Sequence, residues 1–283
     1  MADRPGPVIV TGANSGFGLE SVLLFAEHGW ETWGTVRSDE KADAVHDAAK
    51  AKDKTVAKLV RPLVLDVSDH DAVVEAWKEL PDFYGVVNNA GYSEVGAVEE
   101  VTAAQAKSQL DVNLVAPAVV SSCALPGMRR LGGGRIVMVS SIAGRWAVMP
   151  LNAWYHASKF GLEALSDVLR VEVASFGVKV SIVEPGFFKT NIETSARQKT
   201  EQLKARKDSP YASAYQRTSQ ALEQVNRFAP PSEIVLRRDY SFNDQEQLSK
   251  ESEEALLYRD MQTDAVQQLV RRLQAAAKAA PKT

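Results

Sequence analysis

Short apolar runs alternate with amphipathic segments along the first two thirds of the chain. Six runs rich in Val, Ile and Leu predict buried strands at residues 7–11, 31–36, 59–65, 83–88, 135–140 and 178–184. Between them, apolar positions at helical spacing predict helices at residues 16–28, 39–52, 69–79, 102–131 and 152–176. Strands that alternate with helices in this way indicate a parallel sheet covered on both faces. We therefore expect an α/β fold, a single-domain Rossmann-type doubly wound parallel sheet.

Local signals refine two of these helices. Ser68 is a favourable N-cap for the helix at 69–79, and Pro117 is expected to kink the helix at 102–131 or to pack tightly within it.

After Gly186 the pattern becomes mostly polar. Residues 190–207 are helix-prone, residues 233–238 form a possible strand, and residues 265–280 predict a last helix. No repeat or linker separates this part from the rest. We expect residues 1–283 to form one domain, in which residues 187–260 are an enlarged, mostly helical substrate lid.

Composition excludes several classes of function. The chain has 283 residues, 45% of them hydrophobic, and a formal net charge of −3, so it can bury a core and has no basic field for nucleic acid. A single cysteine, Cys123, excludes an intrachain disulfide, and no Cys/His cluster suggests a metal. The absence of 18 uninterrupted apolar residues and of a signal-peptide core predicts no membrane span and a cytoplasmic protein.

A glycine-rich segment, Thr-Gly-Ala-Asn-Ser-Gly-Phe-Gly at residues 11–18, joins the first strand to the first helix. Gly12, Gly16 and Gly18 would let the backbone turn sharply, approach a pyrophosphate and pack helix against strand. The helix N-terminus then offers free N–H groups to phosphate. The segment predicts a dinucleotide site; the alternative is a glycine-rich turn without a ligand.

The end of the second strand indicates which dinucleotide binds. Val36 stands where a carboxylate would bind the ribose diol of NAD, and Arg37 follows it. This favours NADP(H) over NAD(H), unless Arg37 is a solvated residue neutralised by Asp39 or Glu40. Asp66, at the end of the third strand, either meets the adenine edge or caps the next helix.

Tyr155 and Lys159 are four residues apart, so a helix places both on one face. An ammonium favours the phenolate, so a phenol with a reference pKa near 10 can work closer to neutral pH. The pair predicts acid–base chemistry at a carbon–oxygen bond. His156 beside it is either a packing residue or a second base.

Together the motifs resemble the short-chain dehydrogenase/reductase family over about residues 7–190. They are similar above all to its branch of steroid, retinol and related carbonyl reductases. The resemblance rests on the glycine segment, Asn88-Asn89-Ala90-Gly91, Asn113, Ser140-Ser141, Tyr155-x-x-x-Lys159 and Pro185-Gly186.

The resemblance implies a role for each matching residue. Tyr155 would exchange a proton with the substrate oxygen, Lys159 would lower its pKa and bind the nicotinamide ribose, Ser141 would bond the substrate oxygen, and Asn113 would hold a relay water. The implied cofactor-binding residues are Gly12, Asn14, Ser15, Gly16, Phe17, Gly18, Arg37, Asp66, Val67, Asn89, Ala90, Gly91, Tyr155, Lys159, Pro185, Gly186 and Thr190.

The chain departs from the family pattern at two places. Ser141 precedes Tyr155 by fourteen positions, one more than usual, and Ile142 at the usual spacing has no hydroxyl. We infer one extra residue in the loop 144–150 and retain Ser141, with Ser140 as a weaker candidate. The family's seventh strand after the last helix is missing, replaced by residues 233–238, or truncated.

Segments 93–96, 145–154 and 187–260 are expected to form the substrate pocket. Its predicted apolar residues, Trp146, Met149, Trp154, Phe187 and Phe188, favour a bulky hydrophobic carbonyl or secondary alcohol, although they could simply build core. We expect an NADP(H)-dependent reductase that forms a homodimer or homotetramer through helices 102–131 and 154–176. A non-catalytic NADP(H) sensor and a non-redox isomerase or dehydratase remain open alternatives.

Overall fold

A computed structural model describes residues 6–147, 149–186, 191–206 and 208–228, and the backbone of residues 237–238. For residues 191–193 and 224–228 it describes the backbone alone. The predictions for Phe187, Phe188, Thr190 and the helix at 265–280 lie outside the described residues.

Six parallel strands form the sheet in the order β3-β2-β1-β4-β5-β6. They are β1 (Val8–Val10), β2 (Thr32–Val36), β3 (Val60–Val64), β4 (Gly85–Asn88), β5 (Gly134–Val139) and β6 (Val178–Val183). The strand order reverses between β1 and β4, which opens a crevice at the carboxyl ends of these strands. The predicted doubly wound sheet is confirmed, and this crevice is where such a sheet binds its ligand.

The helices cover both faces of the sheet. They are α1 (Gly16–Glu27), α2 (Asp39–Lys52), α3 (Lys54–Leu59), α4 (His70–Ala76), α5 (Ala103–Leu110), α6 (Ala116–Arg130), α7 (Ala153–Val173), α8 (Asn191–Lys204) and α9 (Ala212–Phe228). A π-helical segment, Asp111–Val115, joins α5 to α6, and short 3-10 turns span Ile142–Gly144 and Ala174–Phe176.

The sequence analysis missed one helix and assigned one helix cap to the wrong residue. The short helix α3 was not predicted; it begins because Asp53 accepts a hydrogen bond from the Thr55 N–H at 2.6 Å. The cap of α4 is Asp69, which accepts from the Ala72 N–H at 3.0 Å, whereas Ser68 donates its hydroxyl to Asp66. Both cases are carboxylate caps, which compete well with serine for exposed N–H groups.

Pro117 lies in the first turn of α6, directly after the π-helical segment. Proline has no N–H, so the carbonyl oxygen of Asn113, four residues earlier, loses its usual α-helical partner. The predicted single helix at 102–131 is therefore interrupted at Asn113, next to the site described below.

Strand residues alternate between two cores, one on each face of the sheet. On one face, Ile9, Val86 and Ile136 pack against α6 and α7 residues such as Val120 and Leu162. On the other, Val8 and Val10 pack against Val22 of α1 and Val45 of α2. Because both faces are buried, the strands read as continuous apolar runs.

The continuous helical stretch Ala103–Arg130, which comprises α5, the π-helical segment and α6, is long and apolar enough by composition to cross a membrane. Its apolar residues include Val120, Ala124 and Met128, which lie in the core against the sheet. Packing against the sheet accounts for this composition.

Arg237–Arg238 forms a two-residue strand, β7, antiparallel to β6. It pairs with Ile182 and Val183. Of the three possibilities for the seventh strand, the structure shows replacement by part of segment 233–238.

Candidate active site

A cavity of about 710 Å³ opens at the carboxyl ends of the strands. Residues from the glycine segment, the ends of β2 and β3, the turn after β4, the turn after β5, and α7 line it. The predicted site residues among these are Gly12, Asn14, Ser15, Gly16, Phe17, Arg37, Asp66, Val67, Asn89, Ala90, Gly91, Ser141, Trp146, Met149, Tyr155, Lys159, Pro185 and Gly186.

Among the residues that the structure describes, three predicted site residues do not line the cavity. Trp154 precedes Tyr155 by one position on α7, which turns its side chain about 100° away around the helix axis, and it does not line the cavity. Gly18 acts through packing, since a Cβ atom there would lie 2.2 Å from the Gly12 carbonyl oxygen. Asn113 lies behind the cavity wall.

The glycine segment requires glycine for two reasons: its backbone turns sharply, and it lies very close to the turn after β4. Gly12 has φ +68°, and a Cβ atom on it would lie 2.9 Å from Ala90 Cα. Gly16, with φ +55°, begins α1, whose first N–H groups have no partner within the helix. The geometry fits a dinucleotide pyrophosphate laid over this turn.

Side-chain hydrogen bonds fix the turn after β4 to the glycine segment. The Asn89 amide donates to the carbonyl oxygens of Thr11 at 2.9 Å and Gly12 at 3.2 Å. The N–H groups of Asn89 and Ala90 both donate to the Thr11 hydroxyl at 3.0 Å. One rigid unit therefore forms this wall of the cavity.

Arg37 is exposed at the cavity edge. Nothing in the described part of the chain pairs with its guanidinium; Asp39 and Glu40 form the first turn of α2 without reaching it. Asp66 lines the cavity and holds its own turn by accepting from the Ser68 N–H at 2.9 Å. Arg37 is thus available to an anionic group, while Asp66 has a structural bond as well as access to the cavity.

Tyr155, Lys159 and Ser141 line the same cavity. Lys159 is 4% exposed; its Nζ lies 5.8 Å from the Tyr155 ring centroid and donates to the Val139 carbonyl oxygen at 2.8 Å. The Ser141 hydroxyl accepts from the Ala143 N–H at 3.1 Å. Its own hydrogen is left to donate, so Ser141 both caps a 3-10 turn and faces the cavity.

Burial controls the protonation of this group. It raises the pKa of Tyr155, and the neighbouring Ser141 hydroxyl only partly opposes that rise. Burial also lowers the pKa of Lys159 to about 8, although the nearby Glu163 carboxylate acts to raise it. In the protein without ligand the pKa of Tyr155 is therefore raised, opposite to the expectation, while the Lys159 ammonium donates to the Val139 carbonyl oxygen.

A buried carboxylate, Glu163, lies beside Ser140. Glu163 is 5% exposed and lies 3.2 Å from the Arg145 guanidinium, which also reaches Glu184 at 3.0 Å. Burial raises the pKa of Glu163, and the Ser140 hydroxyl opposes this. Ser140 therefore faces Glu163, whereas Ser141 faces Tyr155.

Asn113 has no amide hydrogen free for a relay water. Its Oδ1 accepts from the Tyr92 N–H at 3.1 Å, and its Nδ2 donates to the Tyr92 carbonyl oxygen at 2.9 Å and to the Ser158 hydroxyl at 3.2 Å. The side chain thus fixes the loop to α7. A relay water, if bound here, would use the carbonyl oxygen that Pro117 leaves without its usual donor.

Both ring nitrogens of His156 have partners. Nδ1 lies 2.8 Å from the Ala143 carbonyl oxygen, and Nε2 accepts from the Met149 N–H at 3.4 Å. Of the two readings from the sequence, the geometry fits a packing residue that holds the loop before α7.

All three segments predicted for the substrate pocket contribute residues to the cavity. These residues are Ser93, Trp146, Met149, Asn152, Thr194, Ser195, Ala196 and Leu222. Tyr92 and Val112 also line it and were not predicted. Tyr92 directly follows the Asn-Asn-Ala-Gly turn, which could have indicated it; Val112 lies in the π-helical segment, which no pattern revealed.

Comparison with known proteins decides the family. The sequence model described as short chain dehydrogenase matches residues 7–201. This chain belongs to the short-chain dehydrogenase/reductase family. The resemblance drawn from its motifs, including the retinol dehydrogenase branch, is confirmed.

Curated relatives and solved structures agree. Human retinol dehydrogenase 5 is 34% identical over 192 residues, 65% of this chain and 57% of that protein. The 3-ketodihydrosphingosine reductase of Bacteroides thetaiotaomicron is 31% identical over 228 residues, 79% of this chain and 78% of that protein. A metagenomic short-chain oxidoreductase in complex with NADP has TM-score 0.60 and 28% identity, covering 66% of this chain and 84% of its own.

A short-chain dehydrogenase from Streptomyces avermitilis covers 99% of this chain and 100% of its own, with TM-score 0.61 and 25% identity. Family and geometry together make this protein an oxidoreductase that uses a nicotinamide dinucleotide.

Proposed function

We propose that this protein is an NADP(H)-dependent oxidoreductase that transfers a hydride between nicotinamide and a carbonyl or secondary alcohol carbon. The observation that carries the proposal is the meeting of Tyr155, Lys159 and Ser141 in the same cavity as the glycine segment.

The residues of the cavity fit the cofactor. The N–H groups at the start of α1 would hold the pyrophosphate, Arg37 the 2′-phosphate, and Lys159 the nicotinamide ribose. When bound, the cofactor supplies or accepts the hydride.

The protein supplies proton handling. As a carbonyl carbon accepts a hydride, negative charge grows on its oxygen, and the hydroxyls of Ser141 and Tyr155 are fixed donors for that charge. Because burial raises the Tyr155 pKa, the phenol carries its proton at neutral pH. This is the form that carbonyl reduction requires.

Apolar cavity residues support a bulky hydrophobic substrate. Trp146, Met149, Val112 and Leu222 line the cavity that contains Tyr155. Two relatives are named for retinol and for 3-ketodihydrosphingosine, both hydrophobic molecules.

An NADPH oxidation screen over ketones and aldehydes of graded size tests the proposal. We expect turnover that rises with the size of the apolar group. A protein that binds NADPH and turns over none of them would be a sensor instead. Conversion of a substrate without net cofactor oxidation would identify an isomerase or dehydratase.

Cofactor preference is a separate prediction. Arg37→Asp should lower kcat/KM for NADPH by about 10- to 100-fold, because a charge-assisted bond to the 2′-phosphate is lost. It should leave kcat/KM for NADH within a few-fold. Arg61→Asp, the same charge change outside the cavity, is the control. An unchanged NADPH-to-NADH ratio in Arg37→Asp would refute the 2′-phosphate role.

A further inference from the structure

The geometry points to Asn152 as a substrate-recognising residue. Its amide N–H groups bind a second oxygen acceptor on the substrate, close to the carbon–oxygen group that reacts. This inference rests on the proposed function and specifies the substrate class within it.

Asn152 is a buried polar side chain with an unused donor. It is 7% exposed and lines the cavity. Its Oδ1 accepts from the Ser93 hydroxyl at 2.8 Å, which fixes the orientation of the amide. Among the described residues nothing accepts from Nδ2, and this atom is not sealed from the cavity. The amide therefore presents its hydrogens to a ligand.

Helix capping does not explain the side chain. Asn152 is the N-cap residue of α7, but its side chain makes no capping hydrogen bond. Asparagine at this position ordinarily satisfies the first N–H groups of a helix. Here its acceptor atom is turned to Ser93 in the loop after β4.

The backbone is strained to hold this placement. Leu151 has φ 64°, the one positive φ on a non-glycine residue within the described ranges. Its carbonyl oxygen accepts from the Gly96 N–H at 2.7 Å. A branched residue in this conformation costs free energy and persists where surrounding bonds determine it. Two bonds to the 93–96 loop thus fix Asn152 in the cavity wall.

The position of Asn152 defines the ligand. It directly precedes α7, whose third residue is Tyr155, and both side chains line the same cavity. Trp146 and Met149 beside it are apolar. A matching ligand is a hydrophobic ketone or secondary alcohol with another carbonyl, ether or hydroxyl oxygen one or two carbons from the reacting centre.

Two probes differ in this feature alone: 2,3-octanedione carries a second oxygen acceptor, and 2-octanone lacks it. Each is titrated calorimetrically into the complex of the protein with NADP⁺, in which no reduction occurs. NADPH oxidation with each probe is measured separately. The ratio of the two affinities is then compared between variants. Intrinsic differences between the two probes are the same for every variant and cancel in this comparison.

Asn152→Leu keeps the side-chain volume and removes the donor. We expect it to lower the preference for the dione by about tenfold, the value of one buried hydrogen bond, while 2-octanone binding stays within twofold. Asn152→Asp keeps an acceptor for Ser93 and presents carboxylate oxygen to the ligand. It should lose the preference as well, and it serves if the leucine variant fails to fold.

Equal affinity changes for both probes, or no change, would overturn the inference, as would a wild-type protein that binds neither. A protein that shows the expected Asn152 dependence in binding but oxidises no NADPH would refute the proposed function and leave the role of Asn152 standing.

Discussion

At the scale of residues, burial decides the chemistry of Tyr155 and Lys159. The sequence placed both on one helix face and indicated acid–base work. It could not give the direction of the Tyr155 pKa shift, because that depends on how much water the folded cavity excludes. Spacing favoured Ser141 and kept Ser140 as a weaker candidate; in the structure Ser140 lies beside Glu163 and Ser141 beside Tyr155.

The buried ammonium of Lys159 should cost stability. Its folded pKa is about 8 and its ordinary value 10.5. The unfolded chain therefore binds more protons between these values, so the free energy of unfolding should rise with pH through that window, and the cost is fully present below pH 8. Lys159→Met should raise the free energy of unfolding at pH 7 by on the order of 1 kcal/mol.

Urea unfolding at pH 7 and pH 10 checks this prediction. Lys179→Met, at an exposed lysine of β6, is the control and should change little. A Lys159→Met protein that is less stable than wild type at pH 7, with the same pH dependence, would show that the ammonium stabilises the fold.

At the scale of elements, most of the sheet and its helices followed from periodicity, with ends that differ by a few residues. The patterns missed α3 and the π-helical segment Asp111–Val115. Each depends on a single local feature: the Asp53 cap begins α3, and Pro117 lacks the N–H group that an α-helix would use. Hydrophobic spacing does not reveal either feature. The sequence assigned segment 187–260 to the substrate pocket but did not single out Leu222 of α9, which lines the cavity.

Tyr215 holds α9 on the loop after β4. It is fully buried; its hydroxyl accepts from the Ala97 N–H at 3.0 Å and donates to Glu100 at 2.5 Å. Tyr215→Phe should destabilise the protein by about 1–3 kcal/mol, since it leaves a buried N–H unpaired. It should also raise KM for large substrates more than for small ones, because α9 forms part of the cavity wall.

Tyr211→Phe is the matched control, since its hydroxyl donates to the exposed side of the loop at Glu99, at 2.7 Å. It should cost less than about 0.5 kcal/mol. Thermal unfolding and kinetics with a large and a small ketone compare the two. Equal effects of both variants would contradict a specific role for Tyr215.

At the scale of the whole molecule, α7 carries an uncovered apolar stripe. Phe160, Val168 and Val171 are 43%, 58% and 63% exposed and share one side of the helix. The sequence predicted that this helix pairs subunits, and an apolar stripe of this kind suits a two-fold interface. The assembly itself stays a prediction.

Val168→Glu should therefore convert a homodimer, or a larger assembly, to smaller species. A charge at the centre of the stripe would have to be desolvated on association. Light scattering at working concentration measures the mass. Leu24→Glu places the same charge at an exposed apolar residue of α1 and should leave the mass unchanged. A wild-type protein that is already monomeric would refute the predicted interface.

The central claim is that the Tyr155 hydroxyl gives and takes the proton of the reacting oxygen. Its most direct test compares Tyr155→Phe with wild type in NADPH affinity and in turnover of the best ketone from the screen. The account predicts NADPH binding within about twofold and turnover lower by about 10²–10⁴, the contribution of general acid catalysis. Turnover near the wild-type rate in Tyr155→Phe, with the cofactor bound normally, would contradict it.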